Sequence, residues 1–256
     1  MLEETHDRYS KFDFQDSTGY ILKHPQGLIA IGHTASVSPW SDPNIHLHTG
    51  SEEYYFLLKG KLELLIRDFQ LTLYPNEILM VSPSVPHAII GGSGTIEHFG
   101  IRAPALDDKQ VVGEIKKDLP CLYENERLIS GDWGHRISLE MPQHKNCWLI
   151  GAGSAFYQSQ HLILAYLDFP TEAEANAGIG TRHQLHLHQK SWEYYVVLKG
   201  EKDLLIIEDT VIAVHAGEIL EVPPNVNHTL YSRRAPYLGF TMRVPVELND
   251  KVIAEL

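Results

Sequence analysis

The chain of 256 residues is 43% hydrophobic and 9% aromatic, a composition that is typical of folded globular proteins and excludes a disordered chain. Its formal net charge of −12 argues against a nucleic-acid partner, because phosphate binding requires clustered Lys and Arg. No apolar run approaches the roughly 20 residues that a membrane-spanning helix needs, so no membrane partner is expected.

The first residues and the cysteines bear on localisation. The N-terminal stretch MLEETHDRYSKFDF lacks the basic and apolar regions of a secretory signal. Cys121 and Cys147 lie outside any CxxC spacing and are interpreted as small buried hydrophobic residues, not as a disulfide or metal ligands. We therefore expect a cytoplasmic protein, either a monomer or a homodimer.

In chain order, a polar N-terminal arm comes first. From Gly27 onward, apolar runs of four to seven residues alternate with Gly, Pro, Asn, Asp or Ser, as in GLIAIGH, YYFLLKG and EILMVSP. This rhythm predicts many short antiparallel strands in a sandwich or barrel. It is interrupted at residues 103–119, whose charge spacing predicts a short helix ended by Pro120, and it resumes at Cys147.

An internal repeat divides the chain. HLHTGSEEYYFLLKG, residues 46–60, recurs as HLHQKSWEYYVVLKG, residues 186–200, at a constant offset of 140. Residues 101–112 (IRAPALDDKQVV) likewise resemble residues 242–253 (MRVPVELNDKVI). The sequence thus predicts two duplicated domains. The predicted divisions are the N-terminal arm at 1–19, domain 1 at 20–116, a linker and edge segment at 117–145, and domain 2 at 146–256.

Each repeat carries two histidines one residue apart and a glutamate five positions later. Because side chains alternate between the two faces of a strand, His-x-His places both imidazoles on one face, and the glutamate begins the next strand beside them. A further histidine follows in VSPSVPH and in VPPNVNH. Three imidazoles and a carboxylate suit a first-row divalent ion, so we predict up to one Mn, Fe, Co, Ni or Zn per domain, with about two positions open for other ligands. The predicted ligands are His46, His48, Glu53 and His87 in domain 1, and His186, His188, Glu193 and His228 in domain 2.

These motifs resemble those of the cupin superfamily, and in particular of the bicupins, with the pattern G-x5-H-x-H-x3,4-E-x6-G followed by G-x5-P-x-G-x2-H-x3-N. In the first motif the two histidines, the glutamate and the last glycine (Gly60 or Gly200) match in both repeats, and in the second motif the histidine matches. The resemblance implies an all-β fold of two tandem cupin domains, each a small conical β-barrel (a double-stranded β-helix) with the metal near its wider mouth. It implies no single activity, because cupins include dioxygenases, oxalate decarboxylases, isomerases, epimerases and storage proteins.

The second motif departs from the family pattern at turn positions. Asn76 replaces its first glycine in domain 1, whereas Gly217 retains that glycine in domain 2, and Ser84 and Asn225 replace a later glycine. Asn tolerates the left-handed backbone conformation, and Ser tolerates it less readily. Domain 2 keeps the motif better, so if only one metal site is occupied we expect it to be that of domain 2.

Side chains near the ligands are candidates for substrate contact. Tyr55 and Tyr195 share strand parity with the glutamates, so their rings should point into the barrels, either to donate a hydrogen bond to a metal-bound ligand or to pack the core. Arg102 and Arg243 lie at the end of the last strands and either bind a substrate carboxylate or form an ion pair. Trp192 either lines a pocket for an aromatic substrate or packs within the domain.

The residues that alternate with Tyr55 and Tyr195 along their strands are also apolar. A strand that is apolar on both faces should be buried on both, which predicts that Tyr54 and Tyr194 are withdrawn from solvent.

The predicted function is that of a metal-dependent enzyme whose small-molecule substrate is oxygenated and chelates the ion. Dioxygenase-like oxidation comes first, and Glu53 or Glu193 could also act as a base. A non-oxidative isomerase or decarboxylase, with the ion as a Lewis acid, is an alternative. A binding, sensing or storage protein without turnover is another, and a filled barrel would favour it over catalysis.

Overall fold

The computed structural model describes residues 3–6, 8–15, 18–36, 41, 44–114, 130–140, 146–151, 154, 156–171, 173, 184–200, 203–233 and 236–254. Within these residues the fold is all-β, with twenty-two strands. The first twelve strands are β1 Glu3–His6, β2 Tyr9–Asp13, β3 Gly19–Lys23, β4 Ala30–Ser36, β5 Asn44–His48, β6 Glu52–Ile66, β7 Phe69–Leu73, β8 Glu77–Val81, β9 His87–Ala103, β10 Lys109–Glu114, β11 Ser130–Gly131 and β12 Gly134–Ser138. The remaining ten are β13 Cys147–Ile150, β14 Ile163–Phe169, β15 His186–His188, β16 Trp192–Lys199, β17 Asp203–Ile207, β18 Thr210–Val214, β19 Glu218–Val222, β20 His228–Arg233, β21 Tyr237–Val244 and β22 Lys251–Ile253. None of the described residues belongs to a helix long and apolar enough to cross a membrane.

The chain forms two compact units. Residues 17–141 form one unit, called domain 1 from here on, and residues 142–256 together with 1–16 form the other, called domain 2. The division differs from the predicted boundaries at two places. The N-terminal arm belongs to domain 2, because β2 pairs antiparallel with β19. The described end of the linker belongs to domain 1, because β12 pairs with β8.

Domain 1 has one antiparallel sheet of ten strands, in the order β10-β5-β9-β6-β8-β12-β11, with β4 paired to β9, β3 paired to β4, and β7 paired to β6. The two longest strands, β6 with 15 residues and β9 with 17, pair with each other through several register shifts. Such irregularities bend a strand and increase its twist. The sheet therefore curves so that its inner face lines a single core.

Domain 2 repeats this arrangement in two sheets. Seven strands have the order β1-β2-β19-β16-β21-β14-β13, and five have the order β18-β17-β20-β15-β22. The stretch equivalent to β6 is divided here into β16 and β17, and the stretch equivalent to β9 is divided into β20 and β21. The two domains thus share the same order of pairing around their cores.

Each domain has its own buried apolar cluster, to which Tyr55 contributes in domain 1 and Tyr195 in domain 2. The outward residues of the same strands are buried as well, since Tyr54 and Tyr194 are 1% and 0% exposed. Burial on both faces of β6 and β16 is confirmed.

The helix predicted for residues 103–119 is wrong over its described part. Lys109–Glu114 form β10, which pairs antiparallel with β5, and residues 115–119 lie outside the described residues. The carboxylate of Asp108 accepts hydrogen bonds from the backbone N–H groups of Gly50 and Ser51, which fixes the chain beside the edge of β5. The pairing of β10 with β5 outweighs the helix preference that the local charge spacing suggested.

The substituted turn positions adopt the predicted backbone conformation. Asn76, Ser84 and Asn225 each have a φ of 63°, in the left-handed region. Ser84 does so although serine rarely occupies this region, and its N–H donates to the carbonyl oxygen of His48 at 2.6 Å. That hydrogen bond links the turn directly to a ligand strand.

Candidate metal centres

The predicted ligands of each domain come from three strands. In domain 2, β15 presents His186 and His188 on one face, β16 carries Glu193, and β20 begins at His228. His186 and His228 are partners in the antiparallel register. The same arrangement holds for β5, β6 and β9 of domain 1.

In domain 2 the four side chains are buried, and one ligand atom from each lies within 4.8 Å of all the others. Oε2 of Glu193 lies 2.7 Å from Nε2 of His228 and 3.2 Å from Nε2 of His188. Its distance to Nε2 of His186 is 3.9 Å. Three imidazole nitrogens therefore converge on one carboxylate oxygen.

Domain 1 has the same convergence in a slightly looser form. Oε2 of Glu53 lies 2.8 Å from Nε2 of His87, 3.3 Å from that of His48 and 3.6 Å from that of His46. His46, Glu53 and His87 meet within 4.8 Å, whereas the rings of His48 and His87 are 6.2 Å apart. Glu53 is also the more exposed glutamate, with 19% of its side chain accessible against 8% for Glu193.

The glutamates remain ionised in these surroundings. Burial raises the pKa of the Glu193 carboxyl group, but hydrogen bonds with the three surrounding histidines outweigh it and hold the pKa well below its usual range. The same balance lowers the pKa of Glu53. Burial also lowers the pKa of His186, which favours the neutral imidazole that a metal requires.

The outer nitrogens of two imidazoles in each domain face backbone carbonyl groups. Nδ1 of His228 lies 2.9 Å from the carbonyl oxygen of Val226, and Nδ1 of His186 lies 3.0 Å from that of Gln184. His87 in domain 1 has the equivalent bond at 2.8 Å. Because a carbonyl group only accepts, Nδ1 carries a hydrogen, so Nε2 is the nitrogen that would bind an ion after releasing its own proton.

An aspartate that the sequence analysis missed holds the remaining imidazole of each domain. Nδ1 of His48 lies 2.8 Å from Oδ1 of Asp108, and Nδ1 of His188 lies 3.4 Å from Oδ2 of Asp250. Burial raises the pKa of both aspartates, but hydrogen bonds from backbone N–H groups and a Ser side chain, together with the nearby histidine, lower it below its usual value. The signal was present in the sequence, because an Asp-Lys pair recurs in LDDKQVV and LNDKVI.

This donor set fits a first-row divalent ion. Neighbouring ligands about 2.1 Å from a common ion lie about 3 Å apart, which is close to the observed separations from the glutamate oxygens. Outer partners that fix ring orientation are the usual companions of metal-binding histidines. The eight residues could therefore hold one ion per domain, and the ion would supply Lewis acidity or redox chemistry.

The centre of domain 1 opens into a cavity of about 540 Å³. His46, His48 and Glu53 lie in its wall, together with Tyr55 and Arg102. Arg102 is half-buried, and its Nη1 lies 3.5 Å from Nδ1 of His48. A molecule in this cavity would contact the ligand side chains and a guanidinium group at once.

The equivalent arginine and tyrosine of domain 2 make similar contacts with their histidines, since Nη1 of Arg243 lies 3.4 Å from Nδ1 of His188. Tyr195 is buried in the apolar cluster, with its ring 6.4 Å from that of His228. Arg243 lies 5.8 Å over the ring of Trp148. Trp192 is half-buried at the start of β16, opposite Val244.

A second residue that the sequence analysis missed is His98, which lies in the cavity wall of domain 1. It is 4% exposed, and burial, with a smaller contribution from His33, lowers its pKa to about 4. His98 is therefore neutral at pH 7. Its equivalent in domain 2 is Gly239, and no sequence motif marked it.

Comparisons with known proteins agree with this architecture. Residues 176–235 match the Cupin_2 family, described as a cupin domain. A search of curated protein sequences found no match.

The fold is similar to that of oxalate decarboxylase from Bacillus subtilis, with a TM-score of 0.55 and 14% identity over 98% of this chain and 79% of that chain. Mn(II) centres have been described in that decarboxylase. The fold is also similar to that of salicylate 1,2-dioxygenase from Pseudaminobacter salicylatoxidans, with a TM-score of 0.60 and 8% identity over 85% of this chain and 70% of that chain. An adduct of the dioxygenase with gentisate gives a TM-score of 0.63 at 9% identity, over 89% of this chain and 72% of that chain.

Proposed function

Because this chain has the bicupin fold, we propose that it is a metalloenzyme with one divalent transition-metal ion per domain and its reaction site in domain 1. The first candidate reaction is dioxygenase-like oxidation of a small organic acid that chelates the ion. The observation that carries the proposal is the cavity of about 540 Å³ beside His46, His48 and Glu53.

The size and lining of the cavity support turnover of a small molecule. Enzyme sites for small molecules typically enclose about 300–1,000 Å³ and combine apolar walls with a few polar groups. Ile89 and Ile101 contribute apolar wall, and Arg102 and Lys109 contribute positive charge. The cationic side chains favour an anionic substrate, since a guanidinium group binds a carboxylate through two parallel hydrogen bonds.

The side chains of domain 1 would then have separate tasks. Arg102 binds and orients the substrate carboxylate. Tyr55 supplies a phenolic O–H inside the cavity, and Glu53 could accept a proton from the substrate. When bound, the ion supplies Lewis acidity and, for Fe or Mn, redox chemistry with dioxygen.

A non-oxidative isomerase or decarboxylase is the second candidate. The two cations in the wall of the cavity, Arg102 and Lys109, favour it, because they would also stabilise negative charge that develops on a carboxylate or enediolate. The likeness to oxalate decarboxylase extends over 98% of this chain and agrees with such a reaction. Consumption of dioxygen separates the two candidates.

The test combines metal analysis with oxygen measurement. Purified protein should contain close to two ions per chain, and Glu53→Gln and Glu193→Gln should each remove about one. Turnover of small hydroxy and keto acids should be lost in Glu53→Gln and should continue in Glu193→Gln, if that variant remains folded. An oxygen electrode should record one dioxygen per product for the oxidative reaction.

Two results would overturn parts of the proposal. Undiminished turnover under nitrogen would exclude oxidation and leave the second candidate. Protein that binds no transition metal, or Glu53→Gln protein that retains full metal content, would reject a metal centre in domain 1.

A further inference from the structure

The two barrels differ along one strand of the inner face. In domain 1, the inward positions of β4 line the cavity and carry small residues, namely Ala30, Gly32, Thr34 and Ser36. The antiparallel register places them opposite Arg102, Gly100, His98 and Ile96 of β9. The equivalent register positions of β14, opposite β21, are Ile163, Ala165, Leu167 and Phe169. Each position thus has a larger side chain in domain 2.

These larger side chains belong to the core of domain 2. Ala165, Leu167 and Phe169 pack in one buried cluster with Tyr195 and Tyr237. The corresponding cluster of domain 1 contains Tyr55 and Ile96, the equivalents of those two tyrosines, but no residue of β4. The inner face that is filled in domain 2 is therefore open in domain 1.

A neighbouring position on the next strand shows the same difference. Tyr55 is opposite Gly100 in the register, whereas Tyr195 is opposite Thr241. A Cβ atom added to Gly100 would meet nothing within 4 Å, and the φ of Gly100 is not positive. Gly32 is the partner of Gly100 on β4, so two adjacent strands present a strip of bare backbone to the cavity.

We infer that these small residues form a substrate seat in domain 1 for an organic acid with a ring-sized apolar body. The ring lies over the backbone of Gly32 and Gly100, its oxygen substituents face the ligand side chains, and its carboxylate faces Arg102. The equivalent space in domain 2 is taken by that domain's own side chains. The inference rests on the proposed function and adds to it the substrate class and the residues that select it.

The size of the cavity favours an acid with a ring over a smaller acid. The cavity of about 540 Å³ lies within the range of about 300–1,000 Å³ that is typical of sites for drug-sized molecules. A two-carbon diacid beside the ligands and Arg102 would leave most of this space to solvent. A ring-bearing acid would instead cover apolar walls such as Ile89 and Ile101.

The test exchanges the equivalent residues of the two domains. Gly100→Thr installs the domain 2 residue where the structure has room for it, and Thr241→Gly is the matched reciprocal variant. Binding of 2-hydroxybenzoate and of oxalate to Mn-loaded protein is measured by calorimetry, and metal content is measured on the same samples. We expect Gly100→Thr to weaken 2-hydroxybenzoate binding at least tenfold, to change oxalate binding less than threefold, and to retain its metal.

The outcomes distinguish this inference from the proposed function. If wild-type protein holds no metal, the proposed function fails. If metal is bound normally, the inference is overturned by wild type that does not bind 2-hydroxybenzoate, by an equal loss of both acids in Gly100→Thr, or by no loss at all. A larger effect of Thr241→Gly than of Gly100→Thr would likewise move the seat to domain 2 and reject it.

Discussion

A single carboxylate orients the second histidine of each His-x-His motif. Asp108 and Asp250 accept from backbone N–H groups on one side and face His48 and His188 on the other. They act on the centre through the imidazole, so they are positioning residues. In domain 1 this aspartate lies about 60 positions from the histidine that it orients, in a segment whose local pattern predicted a helix.

Replacing Asp108 with Asn should weaken metal binding in domain 1 by about 10- to 100-fold, because the neutral amide no longer raises the basicity of His48. Asp250→Asn is the matched control and should weaken only the other site. Titration of metal-free protein with Co(II), followed by its visible absorption, measures both sites. Two unchanged affinities in Asp108→Asn would contradict the assigned role.

His98 should make the stability of domain 1 depend on pH. Its pKa in the folded protein is about 4, below the usual value near 6.5, so the unfolded chain binds more protons between these values. The free energy of unfolding is therefore fully retained above pH 6.5 and should fall by up to about 3 kcal/mol as the pH drops to 4.

His98→Gln should remove this part of the pH dependence. Urea unfolding of wild type and variant in the presence of a chelator, at pH 7, 5.5 and 4.5, gives the difference between them. The wild type should lose stability relative to the variant as the pH falls. Parallel curves would show that His98 does not titrate as its burial implies.

At the scale of elements, the bend of β6 depends on a glycine. Gly60 has a φ of 78°, and a Cβ atom there would lie 2.7 Å from the carbonyl oxygen of Thr95. Gly60→Ala should therefore destabilise domain 1 by about 1–3 kcal/mol. Gly100→Ala is the matched control on β9, since its added Cβ meets open space. Equal unfolding free energies for both variants, measured in urea, would exclude strain at Gly60.

The sequence predicted those elements whose signal is local. The rhythm of short apolar runs and the internal repeat correctly predicted a duplicated all-β fold, and the resemblance to the cupin motifs implied that it is the bicupin fold. The helix at residues 103–119 was wrong because β10 forms only where β5 offers an unpaired edge. The sequence also could not show that the cations and the small residues line one cavity, because Gly32 and Gly100 become neighbours only through the pairing of β4 with β9.

At the scale of the whole molecule, the duplicated motif did not predict the cavity beside the centre of domain 1. The sequence favoured domain 2 because it keeps the motif glycine Gly217, and its ligands are indeed gathered more closely. The cavity beside the centre of domain 1 depends instead on β4, which lies outside both cupin motifs. The agreement with the family motif and the presence of a cavity beside the ligands thus depend on different strands.

Each domain also receives an edge strand from outside the repeat. β12, from the linker, pairs with β8 in domain 1, and β2, from the N-terminal arm, pairs with the equivalent β19 in domain 2. Phe12 and Phe14 of the arm are buried, with 7% and 4% of their surface exposed, and Phe12 lies opposite Ile219 in the antiparallel register. The arm is therefore part of that barrel, although it precedes domain 1 in the chain.

Deletion of residues 1–15 should expose the edge of β19 and destabilise domain 2 by several kcal/mol, because a buried Phe contributes about 3–5 kcal/mol. Hydrogen exchange should then accelerate in Glu218–Val222, whereas the equivalent strand Glu77–Val81 should keep its protection. Arg8→Ala is a suitable control, since its ion pair with Asp209 is exposed and should contribute little. If exchange in both strands stays unchanged after the deletion, the arm is not part of the domain 2 barrel in solution.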